Sequence, residues 1–124
     1  MVSHHEYLKS ILTQILDSYL SLQGIKDKPG DIELIIKELM KINGFIRVIL
    51  NKIDTENIQS SDFKPLKSKL RYYLESYYFE QEIETMSTLY SNDVGRVKNM
   101  RLKILEALDD KKMMEDIKDL SEKL

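Results

Sequence analysis

The chain predicts an all-α fold: a helical bundle of four to five helices, with one long helix in its C-terminal half. Three observations lead there. Apolar residues recur at steps of three and four along most of the 124 residues, which places them on single helical faces. No stretch shows the strict alternation of a half-buried strand. The breaks between apolar stripes fall at polar or Pro-Gly segments, the punctuation of loops rather than of strands.

The first helix is expected from about Ser3 to Gln23. Ser3 and Glu6 stand in the spacing of a capping box, where a serine oxygen and a glutamate three residues on satisfy free backbone N–H groups. Leu8, Ile11, Leu12, Ile15, Leu16, Tyr19 and Leu22 form its stripe. Gly24 is a plausible stop, free to turn left-handed, and Lys26-Asp27-Lys28-Pro29-Gly30 is the clearest loop. Asp31 can cap a second helix, whose stripe Ile32, Ile35, Leu39, Ile42, Ile46, Ile49 and Ile53 alternates threes and fours as a heptad seam does. Ile36, Phe45 and Leu50 widen that face, so it must be covered on more than one side. Gly44 costs about 1 kcal/mol against alanine inside a helix, which suggests a kink or a close helix contact there.

Asp54 to Asp62 holds the second loop, and Ser61 or Asp62 can cap a third helix with Pro65 in its first turn. Leu66, Leu70, Leu74 and Tyr77 line one side of it. The organising stretch follows. Phe79, Ile83, Met86, Tyr90, Val94, Val97, Ile104 and Leu108 keep one helical phase, with Arg101 filling a slot. The phase runs through Ser91-Asn92-Asp93-Val94-Gly95, so the expectation is one long helix, with a soft spot near Gly95. Asp109-Asp110-Lys111-Lys112 interrupts the pattern, and Met113, Met114, Ile117, Leu120 and Leu124 fit a short last helix. The whole reads as a single helical domain, 1–124.

Composition narrows the function. The chain is 42% hydrophobic and 32% charged with a net charge of −2, whereas a dedicated DNA-coating protein is usually more basic. It has no cysteine and two histidines, which excludes disulfides and thiolate metal sites. No apolar run approaches the roughly 20 residues of a membrane span, and the first residues lack the pattern of a signal peptide. Cytoplasmic localisation is the expectation.

Each candidate chemical motif has a plain alternative. His4-His5-Glu6 offers weak metal ligands, but neighbouring helical residues point apart and do not converge on one ion. Glu80 and Glu84 share a helix face while Glu82 does not, and no second acid or histidine completes a catalytic pair. Lys64, Lys67, Lys69, Arg71 and Tyr73, beside Tyr72, Tyr77 and Tyr78, are candidate contacts for single-stranded nucleic acid. The alternative is a helix crossing packed with tyrosines. Arg101 either pairs with a carboxylate at a buried interface or carries its charge out to the surface. Gly95 has no glycine-rich phosphate loop around it. No catalytic, metal or cofactor site is assigned.

Within the organising stretch, Glu82-Ile83-Glu84-Thr85, Leu89-Tyr90, Val94-Gly95-Arg96-Val97 and Lys98-Asn99-Met100 follow a familiar order. It resembles the long helix of archaeal GINS subunits of the class whose helical domain comes first. Arg101-Leu102-Lys103-Ile104-Leu105 and Asp119-Leu120-Ser121-Glu122 are similar to later segments of that domain. The likeness spans roughly the last third of the chain. Ser91-Asn92-Asp93 departs from the charged, arginine-containing stretch usual there, and the chain ends at Leu124, where such proteins continue into a small β domain that is not seen here. The resemblance implies a non-catalytic subunit of a DNA replication assembly. Its partners would be a second GINS-like subunit in a hetero-oligomer, the MCM helicase and a RecJ-like protein, with weak or no direct nucleic-acid binding.

In that reading Phe79, Ile83, Met86, Tyr90, Val94, Val97 and Arg101 form a protein interface, because the apolar surface exceeds what so small a bundle hides. The rival from another class is a small helical subunit lining a nucleic-acid groove in a CRISPR effector complex, with the Lys64–Tyr78 segment as the lining. An enzyme is a third reading, disfavoured because no nucleophile or acid–base pair is placed to act.

Overall fold

A computed structural model describes residues 4–55 and 63–124. Ser3, Ser61, Asp62 and the side chains of His4 and His5, with the capping and metal roles expected of them, lie outside the described part. The described residues form six α-helices: α1 (His4–Gln23), α2 (Asp31–Thr55), α3 (Phe63–Ser76), α4 (Phe79–Tyr90), α5 (Val94–Asp109) and α6 (Met113–Lys123). A single 3-10 turn, Asp110–Lys112, joins the last two, and no strand occurs among them. The fold is all-α, as the apolar spacing predicts.

Four helices close a ring. α1 lies on α2, α2 on α3, α3 on α6 and α6 on α1. The α4–α5 pair covers this ring, α4 resting on α2 while α5 reaches α1, α2 and α6. Every member of the α2 isoleucine–leucine seam is buried, because α1, α3, α4 and α5 all pack against that helix. That is the multi-sided covering its wide apolar face demands.

The long helix expected over 79–108 is instead two helices. Tyr90 and Val94 bracket a three-residue turn in which the Asp93 N–H donates to the Tyr90 carbonyl at 3.0 Å. Asp93 caps α5: its Oδ1 accepts the Arg96 backbone N–H at 3.1 Å and its Oδ2 accepts Arg96 Nε at 3.1 Å. Ser, Asn and Asp offer the backbone such local partners and so favour helix ends over interiors. The apolar phase survives because the turn brings Val97 back onto the core in which Ile83 is also buried.

Three smaller expectations are also corrected. Gly44 marks neither a kink nor a close approach: α2 is continuous through it and nothing lies within 4 Å of where a Cβ would stand. The left-handed residues of the first loop are Asp27 and Gly30, not Gly24, whose N–H still donates to Leu20 in helical fashion. Asp31 turns its carboxylate back to the Lys28 N–H at 2.6 Å, closing the loop instead of capping the next turn.

Two buried or half-buried polar pairs tie the cover to the ring. Tyr19 on α1 donates its hydroxyl to the Asp109 carboxylate at 2.6 Å, and Arg101 on α5 reaches the α1–α2 loop. At the α5–α6 corner Lys111 and Lys112 are both left-handed, with φ of 56° and 60°, a conformation that costs a non-glycine residue about 1–2 kcal/mol. The Lys111 ammonium sits 3.5 Å from the centre of the Tyr72 ring, a cation–π contact that helps hold the corner.

Candidate protein-docking groove

The stretch expected to form an interface is mostly the chain's own core. Phe79, Ile83, Val97 and Arg101 are all at least nine-tenths buried within the bundle. Met86 and Val94 are half-buried. Tyr90 is exposed, with the Arg96 guanidinium stacked 4.1 Å over its ring. Most of the seven-residue stripe is therefore covered by the ring beneath it, Tyr90 excepted, and does not form a free face. Arg101 is paired with a carboxylate inside its own chain. Its Nε and Nη2 meet Asp27 at 3.0 and 2.9 Å, and Nη1 donates to the Leu22 carbonyl at 3.1 Å. Those hydrogen bonds hold the Asp27 carboxyl below its ordinary value, against the opposing pull of desolvation.

The basic and aromatic groups of α3 are similarly engaged. Tyr73 is buried and donates its hydroxyl to Asn43 Oδ1 at 2.8 Å, so it cannot stack on a base. Burial pushes its phenol up from the ordinary tyrosine value. Tyr77 is stacked on Phe79 with centroids 5.0 Å apart. Lys67 and Arg71 both reach Asp54, at 2.5 and 3.3 Å, and Lys69 pairs with Asp116. The Lys67 hydrogen bond is the main reason the Asp54 carboxyl is lowered. Lys64, Lys67, Arg71 and Tyr72 do border a shallow surface cleft, but the charge in it is largely spent on those acids.

Another surface feature lies between α2 and α4. Ile36 and Met40 on α2 face Glu80, Gln81, Ile83, Glu84, Ser87 and Thr88 on α4 across an open groove of about 460 Å³. Ile36 and Met40 stand one turn apart, off the buried seam, and Met40 is 48% exposed. Ile83, itself buried, closes the bottom of the groove. The α4 wall presents Glu80 and Glu84, and α4 carries no basic residue. Arg47 takes Glu80 at one end and Lys103 takes Glu82 at 3.1 Å on the other side of the helix. Glu84 forms no ion pair among the described residues.

Ile36 was legible as a residue widening the second stripe. Met40 was not, because only the i, i+4 pair it makes with Ile36 outside the heptad signals it. The three glutamates were legible as a solvated face; two of them are held in ion pairs. Among the described residues no group of three or more histidine or acidic side chains is placed to hold a metal ion, and no helix is long and apolar enough to cross a membrane. Comparison with protein-family models, with curated proteins and with solved structures finds no match.

Proposed function

We propose that this chain is a non-catalytic helical adaptor that binds a protein partner through the α2–α4 groove. The observation that carries this reading is the groove floor of exposed Met40 and half-buried Ile36, set beside Glu80 and Glu84 on α4. An apolar slot rimmed by polar side chains is the form in which a helical surface receives another helix. Other polar groups that suggested chemistry in the sequence are spent on architecture: Arg101 on Asp27, Tyr73 on Asn43, and Lys67 and Arg71 on Asp54.

The finer reading is a GINS-like subunit scaffolding a replication assembly, with a second GINS-like subunit, the MCM helicase and a RecJ-like protein as partners. It is supported by the order of residues from Glu82 to Leu105 and by nothing in the comparisons. The nucleic-acid groove of a CRISPR effector complex has less support, since Tyr73 is inaccessible and its basic neighbours are paired.

The test is co-purification of the tagged chain from its native cells, wild type against Met40→Asp. Met40 is exposed, so the substitution leaves the bundle intact while placing a charge on the groove floor. The expected result is a partner retained by the wild type and lost by the variant. A partner retained equally by both sinks the groove as its docking site.

A further inference from the structure

The corner between α5 and α6 is built from residues that do not suit it. Asp110 has φ of −58° and ψ of 140°, and Lys111 follows with φ of 56° and ψ of 20°. These angles lie close to the two central positions of a type II turn, the second of which belongs to glycine or asparagine. Lys112 is left-handed as well, with φ of 60° and ψ of 31°. Two successive lysines thus hold a conformation in which Cβ crowds the following carbonyl. Such residues persist only where the surrounding structure imposes the conformation.

The sequence itself favours a straight helix there. From Leu105 to Asp116 it has no glycine, proline or β-branched residue. Apart from Asp109, Asp110 and Asp116, every residue in that span is a strong helix former. A helix continued through the corner also sets Lys111 and Lys112 four residues before Glu115 and Asp116, the spacing of a helical ion pair. What bends the chain is tertiary. α6 packs on α1, α3 and α5 and buries Met113, Met114, Ile117 and Leu120. Lys69 of α3 holds Asp116, and the Tyr72 ring takes the Lys111 ammonium.

We propose that the α5–α6 corner is a hinge that opens into one straight helix from Val94 to Lys123, and that two copies of this chain then exchange α6. A lone copy gains nothing by opening, because the apolar side chains of α6 would then face water. A second opened copy offers the identical seat, so the contacts of α6 with α1, α3 and α5 are remade between chains. The exchange gives up the Lys111–Tyr72 contact and the entropy of association. It relaxes two left-handed residues in each chain, and strained short hinges favour exchange for this reason. Concentration then decides between the closed single copy and the exchanged pair. The device goes beyond the adaptor reading and uses none of the groove residues.

The test is refolding of the full chain from guanidinium over a concentration series, read by sedimentation velocity. The expected result is a single copy at low concentration and a dimer, with nothing larger, at high concentration. Lys69→Cys with Asp116→Cys in one chain identifies the dimer, since the sequence has no cysteine of its own. A short bis-maleimide joins the two positions, which face each other as an ion pair in the closed fold. On a denaturing gel the single-copy fraction then runs as one chain, and the dimer fraction as two chains covalently joined. A dimer whose crosslinks stay within each chain is an ordinary surface contact and overturns the proposal. Lys111→Gly with Lys112→Gly removes the strain of the bend and weakens the straight helix, so dimer formation falls by about tenfold or more. Circular dichroism checks that this variant keeps its helices. A glycine variant as dimeric as wild type overturns the proposal, and so does a single copy at every concentration.

Discussion

Arg101 grips Asp27 in a fork of two hydrogen bonds, 3.0 and 2.9 Å long, across 74 residues of sequence. Its third donor holds the Leu22 carbonyl at 3.1 Å, so one side chain fixes both the end of α1 and the loop after it. Arg101 is buried and Asp27 nearly so. Removing one member of such a pair strands the other. Arg101→Met is expected to cost about 2–3 kcal/mol, less than for a fully enclosed pair because water reaches Asp27. Adding Asp27→Asn, which keeps the left-handed backbone accessible, recovers only part of this, since Leu22 still lacks its donor. Urea unfolding of the two single variants and the double variant measures the coupling.

The same pair sets an acid-side dependence of stability. The Asp27 carboxyl is held below its ordinary value of 3.8, chiefly by the Arg101 hydrogen bonds. A group lowered on folding binds fewer protons folded than unfolded, so stability rises with pH across that interval. The contribution is therefore complete above about pH 3.8 and is lost as the pH falls through the lower, folded value. Thermal unfolding from neutral pH downward should show wild type above Asp27→Asn near neutrality, with the gap narrowing only in the acid range. A gap that stays constant to the lowest pH measured contradicts this account.

The architecture was legible in the sequence to different depths. The α2 seam could be read residue by residue, because a heptad of isoleucine and leucine has one way to be buried. The break at Ser91–Asp93 could not be read from periodicity, since residues on either side of a short turn can return to the same core. It was signalled by capping chemistry, which the preserved phase outweighed. The interface stripe was misassigned for a related reason. Counting apolar residues on one helix does not tell whether the covering surface belongs to the same chain. Here α4 and α5 fold back on α2 and α1, so most of that stripe is covered by its own chain, while Met40, outside every stripe, stays exposed. Tyr73 looked like a stacking residue by its neighbours alone. Only the position of Asn43, 30 residues earlier, shows what its hydroxyl is for.

That hydroxyl gives a third prediction. Tyr73→Phe keeps the ring packing against Tyr77 and Phe79 but removes the donor to buried Asn43 Oδ1. An unpaired buried acceptor costs about 1–3 kcal/mol. Tyr73→Phe should therefore destabilise despite adding apolar character, and Asn43→Leu with Tyr73→Phe should recover part of the loss. Burial also raises the Tyr73 phenol above its ordinary 10.0. A group raised on folding contributes fully below its unfolded value and loses that contribution as the pH climbs above it. Wild type is then expected to lose its advantage over Tyr73→Phe above about pH 10, in unfolding followed by circular dichroism.

Gly44 offers a gain. It lies in mid-α2 with helical backbone, and a Cβ built there meets no atom within 4 Å. Replacing it by alanine removes a glycine's conformational freedom from the unfolded chain at no steric cost to the folded one. Gly44→Ala should stabilise the protein by about 1 kcal/mol, visible as a higher unfolding midpoint with an unchanged slope. A loss of stability would mean that the space beside Gly44 is needed by something the bundle does not itself contain.

Asp93 decides how α4 and α5 are joined. Its carboxylate takes both the Arg96 backbone N–H and the Arg96 side chain, each at 3.1 Å, so it caps the helix and offsets a cation where the dipole disfavours one. Asp93→Ala removes both effects and should cost about 1 kcal/mol. Asp93→Asn keeps an oxygen for the backbone N–H and loses the charge, and should fall between alanine and wild type. Raising the salt concentration should bring wild type toward Asp93→Asn while leaving the Asn–Ala gap in place, because screening acts on the charge and not on the neutral hydrogen bond. An Asp93→Ala variant as stable as wild type would mean that packing of Val97 and Met100 alone holds the start of α5.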